Sequence, residues 1–303
     1  MKKVFIVILN YRGHNDTFEL LSSLQKIRKD NFSLNTIVVD NYPEDQIKID
    51  EKNYKDLNLK VIYNNKNLGF SGGNNVGIRH SLENGADYVL LINNDTYVDP
   101  NFVEELLKVA ESEKESGIVV PKIYFAKGFE YHKKYKETEL GRVIWYAGGN
   151  MDWANVIGFH RGVDEVDDGQ FSQIVETQIA SGCCLMLKRE LLEKIKGYDD
   201  KYFLYYEDAD LSMRTIKKGY KILFTPKSII WHKNAQSSGG SGSGLQDYYI
   251  SRNRMIFGFE YASMRAKFAL FRESIKLILI GRSWQRKGII DFYIGNFGKG
   301  SFK

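Results

Sequence analysis

The sequence predicts an α/β fold: a Rossmann-like mixed, mainly parallel sheet flanked by helices, with a helical C-terminal extension. Three observations predict it. Short apolar runs of strand length recur from Val4 to Val120, and helical spacing separates several of them. Alternation of this kind is how strands joined by crossover helices read in sequence. Beyond a Gly/Ser-rich stretch the chain turns basic and aromatic, with apolar residues at alternating helical steps of three and four.

Taken in order, the runs at residues 4–9, 36–39, 61–63, 89–92 and 118–120 read as strands. The first and fourth are apolar throughout, as strands covered on both faces are. Asp16 followed by Glu19 reads as a capping box opening a helix with Phe18, Leu21, Leu24 and Ile27 inward. Residues 73–81 and 102–110 also show helical spacing. Residues 126–180 are rich in Tyr, Gly and charge, with a strand expected near 143–146, and read as excursions over the sheet edge. A helix is expected at 189–195 and separate strands at 222–224 and 229–231. The stretch QSSGGSGSGLQ, 236–246, is flexible by composition. The stripe Tyr261, Met264, Phe268, Phe271, Ile275 and Ile278, flanked by Arg265, Arg272 and Lys276, reads as core packing or a dimer seam ahead of membrane contact.

With 303 residues and 43% apolar content, the chain can bury a large core, as one domain or as two lobes sharing an interface. A net charge of +5 suits an anionic partner: a phosphorylated small molecule, an anionic membrane surface or nucleic acid. Charge alone does not choose among them. Cys183 and Cys184 are adjacent, where a disulfide would be strained, and nothing resembles a CxxC motif, so a reducing compartment is expected. The opening MKKVFIVILN lacks a small-residue cleavage site and reads as a buried strand. No stretch approaches the roughly 20 apolar residues that span a bilayer. The expected location is cytoplasmic, with membrane attachment, if any, peripheral at the inner face of the cell membrane.

Polar residues gather where the strands end: Asn10 and Tyr11 after the first, Asp40 and Asn41 after the second, NKNLGFSGGNN (65–75) after the third, and Asn93, Asn94 and Asp95 after the next. In a parallel sheet all of these lie along one edge, where α/β proteins bind ligands. Tyr11 can stack on a base, Asp40 can accept from a ring N–H or a ribose hydroxyl, and the glycine-rich turn with Asn67 and Gly72 can present N–H groups to phosphate. Together they describe a nucleotide site. Each also has a plainer reading, as a surface aromatic, a turn former or close packing. Gly69, Gly72 and Gly73 fit neither GxGxxG nor the P-loop, which argues against a nicotinamide dehydrogenase or P-loop ATPase. Asp95, ending a buried strand beside a phosphate site, is placed to hold Mg²⁺ or Mn²⁺, and His232, in IIWHK, can add a nitrogen ligand. In YFLYYEDADLSMR, 202–214, Glu207, Asp208 and Asp210 follow an aromatic run. Desolvation and like charge there can raise a carboxyl toward a general base's working range. The alternative is a helix N-terminus with Asp210 paired to Arg214.

In this order, VFIVILNY, VVVDN, NLGFSGGNNVGI, YVLLINNDTYVDP, ASGCCLMLKRELLEKIKGYDDKYFLYYEDADLSMR and IIWHK resemble family 2 inverting glycosyltransferases of GT-A fold, specifically a rhamnosyltransferase-like bacterial branch. The resemblance implies a GT-A catalytic domain over 1–235, with a nucleotide-binding half at 1–100 and an acceptor and catalytic half at 101–235. The loop 236–246 and a basic, mainly helical segment 247–303 follow. It implies Asp95 as the metal carboxylate of a DxD-type motif with Asn93 and Asn94 beside it, and His232 completing the metal site. It also implies Asp40 on the base, Tyr11 packing against it, and Asp208 as catalytic base beside Glu207. YYISRNRMIF, 248–257, is similar to the branch's C-terminal signature, which implies Arg252 on the diphosphate. A deoxythymidine diphosphate-linked rhamnose donor, a surface-polysaccharide or lipid-linked glycan acceptor and a divalent metal are the implied partners. Nucleic acid is not among them, and a homodimer is open. The QxxRW motif of processive synthases is missing, which favours transfer of one sugar. A nucleotidyltransferase would be expected to carry a basic glycine-rich loop where this chain has NYRGHND. A non-catalytic nucleotide-sugar binder would not need Asp208.

Overall fold

A computed structural model describes residues 1–132, 134–233 and 242–302. Strands β1 (Lys2–Asn10), β2 (Phe32–Asp40), β3 (Leu59–Tyr63) and β4 (Tyr88–Asn93) run parallel, with β1 central between β2 and β4. Helix α1 (His14–Leu24) follows β1, a 3₁₀ segment (Glu51–Leu57) precedes β3, and α2 (Gly69–Glu83) joins β3 to β4. The short β5 (Thr96–Val98) leads to α3 (Phe102–Ser112) and β6 (Ser116–Phe125). Then come β7 (Ile144–Tyr146), β8 (Gly149–Asp152), β9 (Ile157–His160), β10 (Val175–Glu176) and β11 (Cys184–Lys188). Helices α4 (Arg189–Ile195) and α5 (Glu207–Lys217) precede the long β12 (Lys221–His232), and α6 (Gly244–Tyr261), α7 (Met264–Ile280) and α8 (Ser283–Tyr293) complete the chain.

The main sheet runs β10-β12-β6-β11-β4-β1-β2-β3, with β5 on β12 and β7 on β6. It is mixed because β11 enters antiparallel between β4 and β6. Residues Val4 to Ile8 and Val89 to Ile92 are buried on both faces, which is why they carry no alternation. Glycine brings α2 onto the sheet: a β-carbon at Gly73 would strike Leu9, and one at Gly77 would strike Val7. The 126–180 region does leave the sheet, with β8 and β9 forming a separate hairpin and β10 returning to the edge.

Four expectations are corrected. Asp16 does not cap α1, whose N-cap is Gly13; Asp16 and Glu19 instead hold Lys233, at 2.7 and 2.6 Å. The two strands expected at 222–224 and 229–231 are one strand with a register shift between Thr225 and Ile229. Pro226, which has no N–H for the ladder, lies in that shift. Residues 236–241 of the Gly/Ser stretch lie outside the described residues, but its end is helical: the Ser243 side chain accepts from Gln246 N–H and Gly244 begins α6. Finally, the apolar stripe of α7 is not core. Met264, Phe268, Phe271, Ile275 and Ile278 are exposed, while Ala266, Leu270 and Ser274 face inward. Small residues on the inner side let α7 pack closely, so hydrophobicity alone pointed to the wrong face.

Candidate functional site

Parallel register sets the carboxyl ends of β1, β2 and β4 side by side, pairing Asn10 with Asp40 and Leu9 with Asn93. Asn10 donates through Nδ2 to Asp40 Oδ1 at 2.9 Å and accepts from Thr17 at 3.0 Å. Asp40 is buried, and its Oδ2 accepts from Ile47 N–H at 2.8 Å. It therefore closes the turn after β2, and a nucleobase N–H could use only an oxygen already engaged. Tyr11 meets Tyr42 edge to face at 5.4 Å, and the Arg12 guanidinium lies over both rings, 5.3 and 4.8 Å from their centroids. This aromatic and cationic face at the ends of β1 and β2 suits a base or an anion. Arg12 and Tyr42 were not picked out in the sequence; the only hint was their place beside Tyr11 and Asn41.

The glycine-rich run behaves differently from the expectation. Asn41 donates to Asn67 Oδ1 and to the Gly69 carbonyl, and accepts from Asn64 and Leu68, which pins the turn into α2. Asn67 in turn accepts from Gly69 N–H at 2.8 Å. At the start of α2 the N–H groups of Phe70 and Ser71 both donate to the Phe203 carbonyl, at 2.7 and 3.2 Å, so they are not open to phosphate. Gly69 has φ +74 and packs under the Phe203 ring. Gly72 packs beside Leu68 and near Asp200, so its small size serves packing.

At the end of β4, Asn93 N–H donates to the Cys183 carbonyl at 2.8 Å. Asn94 is turned away from the edge, donating to the Gly13 carbonyl and to Thr17, so it ties β4 to the start of α1. Asp95 points the other way. Because β5 pairs with β12, Thr96 lies opposite His232, and Asp95 Oδ1 comes 3.1 Å from His232 Nε2. Both side chains are buried. Burial pushes the Asp95 carboxyl up, but the His232 charge and hydrogen bond, a backbone hydrogen bond and the Lys233 charge together outweigh it and hold the group below the ordinary carboxylate range. His232 packs edge-on against Trp145, centroids 4.7 Å apart, and its Nδ1 is buried with no hydrogen-bond partner.

Glu207 and Asp208 open α5, delivered by a loop in which Phe203, Tyr205 and Tyr206 take left-handed φ of 65, 67 and 70. Such backbone costs of order 1–3 kcal/mol per residue and persists only where the surroundings fix it. Here α6 fixes it. Asn253 Nδ2 donates to the carbonyls of Tyr202, Leu204 and Tyr205, each at 2.8 Å, and Arg252 Nη2 reaches the carbonyl of Tyr202 at 3.1 Å. Arg252 is fully buried between Tyr248 and Tyr249. The expectation that it contacts a diphosphate is thus corrected: its donors face the loop carbonyls that carry the acidic pair. Asp208 accepts from Gly182 N–H at 3.2 Å and Ala209 N–H at 2.8 Å. Burial raises its pKa, with those N–H groups pulling the other way. Burial, then the neighbouring Asp208 charge, drives the Glu207 carboxyl well above its usual range, and its Oε2 has no partner. Asp210 follows its structural reading, bound to Arg214 at 2.7 Å and Tyr261 at 2.8 Å.

One short turn joins the two acidic centres. Gly182 N–H is on Asp208, while the next residue, Cys183, gives its carbonyl to Asn93 and has its thiol pushed up by burial and then by the Asp95 charge. The backbone leading to Asp95 and the Asp208 side chain are thus both bonded to the turn 182–183, through Asn93 N–H on the Cys183 carbonyl and Gly182 N–H on Asp208. Trp145 packs on His232, and its neighbour Tyr146 donates through its hydroxyl to the Ile179 carbonyl. Ser181 closes the turn by accepting from Cys183 N–H. Gly148 and Gly149 lie against Thr177 rather than on this turn, consistent with close packing.

A family model described as "Glycosyl transferase family 2" matches residues 5–196. The chain belongs to glycosyl transferase family 2. A second model, "N-terminal domain of galactosyltransferase", matches residues 171–234, which include Glu207, Asp208 and His232. Over 253 residues the chain is 24% identical to the low-salt glycan biosynthesis hexosyltransferase Agl10 of Haloferax volcanii, covering 83% of this chain and 74% of that one. It is 24% identical to the N-acetylglucosaminyl-diphospho-decaprenol L-rhamnosyltransferase of Mycobacterium tuberculosis, over 60% of this chain and 61% of the relative. The fold superimposes on a crystal structure of GalNAc-T7 with UDP, GalNAc and Mn²⁺ with a TM-score of 0.65 at 15% identity, covering 96% of this chain and 54% of that one. The chain therefore spans less than two thirds of the latter two proteins. Its fold is GT-A: a mainly parallel mixed sheet with flanking helices, as the sequence predicted.

Proposed function

We propose that this family 2 protein transfers a single sugar, rhamnose in the first instance, from a nucleoside diphosphate donor to a hydroxyl of a surface-polysaccharide or lipid-linked glycan, with inversion at the anomeric carbon. What supports this reading is that Asp208 binds Gly182 N–H while the strand end leading to Asp95 binds the adjacent Cys183 carbonyl through Asn93 N–H. Tyr11, Arg12 and Tyr42 form the face that receives the base. Asp208 takes the proton of the acceptor hydroxyl as it attacks opposite the departing diphosphate; a base with a raised pKa is suited to that transfer. Burial and the Asp208 charge raise the Glu207 carboxyl well above its usual range, which disfavours a second negative charge beside the base.

Asp95 and His232 fit a hard divalent cation, Mg²⁺ or Mn²⁺. They offer a carboxylate held ionised and an imidazole whose buried Nδ1 has no partner. Among the described residues no group of three or more His, Cys, Asp or Glu could hold a metal. A two-ligand site of this kind relies on substrate phosphates for the rest of its shell. When bound, the cation would offset the charge that grows on the diphosphate. A relative named as an L-rhamnosyltransferase supports rhamnose as the sugar, for which a deoxythymidine-linked donor is our reading; a uridine-linked hexose is the second reading, in line with a GT-A neighbour crystallised with UDP. A panel of deoxythymidine-, uridine- and guanosine-linked sugars with Mn²⁺ or Mg²⁺, scored by nucleoside diphosphate release, tests both. Release from the rhamnose donor alone is the expected result; none from any donor would defeat the catalytic reading.

A further inference from the structure

Helix α7 carries a face that the catalytic reading does not use. At about 100° per residue, Met264, Phe268, Phe271, Ile275, Ile278 and Leu279 fall in one arc of about 100°. All six are exposed, Met264 and Leu279 to 79% and 67%. Arg265, Arg272 and Lys276 border one side of this arc and Lys267 the other, and none of the four pairs with an acid among the described residues. The inward arc of Ala266, Leu270 and Ser274 is already packed, with Leu270 against Gly258. An apolar outer face with cations along both borders is how a helix lies in a bilayer interface, the long basic stems reaching back to the headgroups. We propose that α7 docks the protein on an anionic membrane surface.

Charge decides between a membrane and a second copy. Residues 261–303 contain nine Lys and Arg against two Asp and Glu, more than the +5 of the whole chain, so the positive excess is concentrated here. The two acids are spent internally: Glu273 pairs with Arg254, and Asp291 is buried against Tyr248 and Ser301. A two-fold dimer through this face would set cationic borders together with no acid to answer them, whereas an anionic leaflet answers all of them. The inner side of α7 packs toward the site: Leu270 and Val156 lie on the same glycine, and Tyr206, just before Glu207, donates to the Val156 carbonyl at 2.9 Å.

The test is co-sedimentation of the full chain with vesicles of 3:1 phosphatidylcholine to phosphatidylglycerol, and with phosphatidylcholine alone. Binding to the anionic vesicles at least tenfold tighter than to the neutral ones is expected. The Phe268→Ser/Phe271→Ser and Arg265→Gln/Arg272→Gln/Lys276→Gln variants should each lose at least that factor. Both variants alter exposed positions, and unchanged melting temperatures will show that the fold is intact. Equal binding to both vesicle types, or anionic binding that survives both variants, would overturn the proposal. So would a dimer in analytical ultracentrifugation that Phe268→Ser/Phe271→Ser dissociates, which would give the face to a second copy. The readout needs no donor or acceptor, so its failure is distinct from failure of the glycosyl-transfer reading.

Discussion

Replacing Asp208 by Asn keeps the side chain's shape and removes its basicity. In the fold Asp208 accepts from two N–H groups, Gly182 and Ala209. An Asn side chain has one acceptor oxygen, so one of these bonds is lost, a cost of about 1 kcal/mol. Against that, the variant no longer buries a charge beside Glu207, which the Asp208 charge pushes upward. The two effects oppose, and a net stability change under about 1 kcal/mol is expected. The catalytic effect is far larger. A positioned general base contributes about 10²–10⁴-fold, or about 3–5 kcal/mol of barrier. Nucleoside diphosphate release with saturating donor and acceptor should therefore fall by at least about a hundredfold. Donor affinity, measured by calorimetry without acceptor, should stay within a factor of about 3. The wild-type rate should rise with pH through a pKa above the ordinary carboxyl value of 3.8, and the residual rate of the variant should lack that limb. Turnover within about threefold of wild type, at unchanged donor affinity, would refute Asp208 as the base.

Asp95→Asn should weaken donor binding roughly tenfold or more when Mn²⁺ is present and leave it unchanged in chelator, by titration calorimetry. Asn253→Ala removes the side chain on three loop carbonyls and should cost about 3 kcal/mol in urea unfolding. In the same variant kcat should fall while donor affinity holds, because the relaxed loop misplaces Asp208. Arg252→Met should likewise lose stability, by about 2–4 kcal/mol, without a selective loss of donor affinity; a pure affinity defect would return Arg252 to the diphosphate. Glu207 has a folded pKa raised by burial, and then by the Asp208 charge, above its ordinary value of 4.5. Its contribution to stability is fully present below that value and is lost as pH rises through the folded pKa. Glu207→Gln should therefore gain stability relative to wild type as pH is raised from about 4 to about 8, read from urea midpoints; a constant difference would contradict the assignment.

The sheet was legible because buried parallel strands write continuous apolar runs, and β1 and β4 do so without interruption. Strand ends were legible for the same reason, and the parallel ladder then set Asn10, Asp40 and Asn93 together. What sequence could not give was the direction of each side chain along that edge. Asn94 and Asp95 are neighbours, yet one turns to Gly13 and the other to His232. The Asp95–His232 contact depends on β12 pairing with β5 across a long sequence separation. Arg252 was expected on the diphosphate through the resemblance of YYISRNRMIF to a family signature, and only the packing of α6 on the 202–206 loop shows its donors facing inward. The α7 stripe failed for a different reason: periodicity marks a face but does not say whether protein or another phase covers it.

The central claim is that Asp95 and Asp208 flank one donor. A crystal structure with Mn²⁺ and a non-transferable nucleoside diphosphate sugar measures this directly. The account predicts a manganese anomalous peak bound by Asp95 and His232, with the anomeric carbon between that peak and the Asp208 carboxylate. A peak away from Asp95, or a sugar whose anomeric face is turned from Asp208, would contradict it.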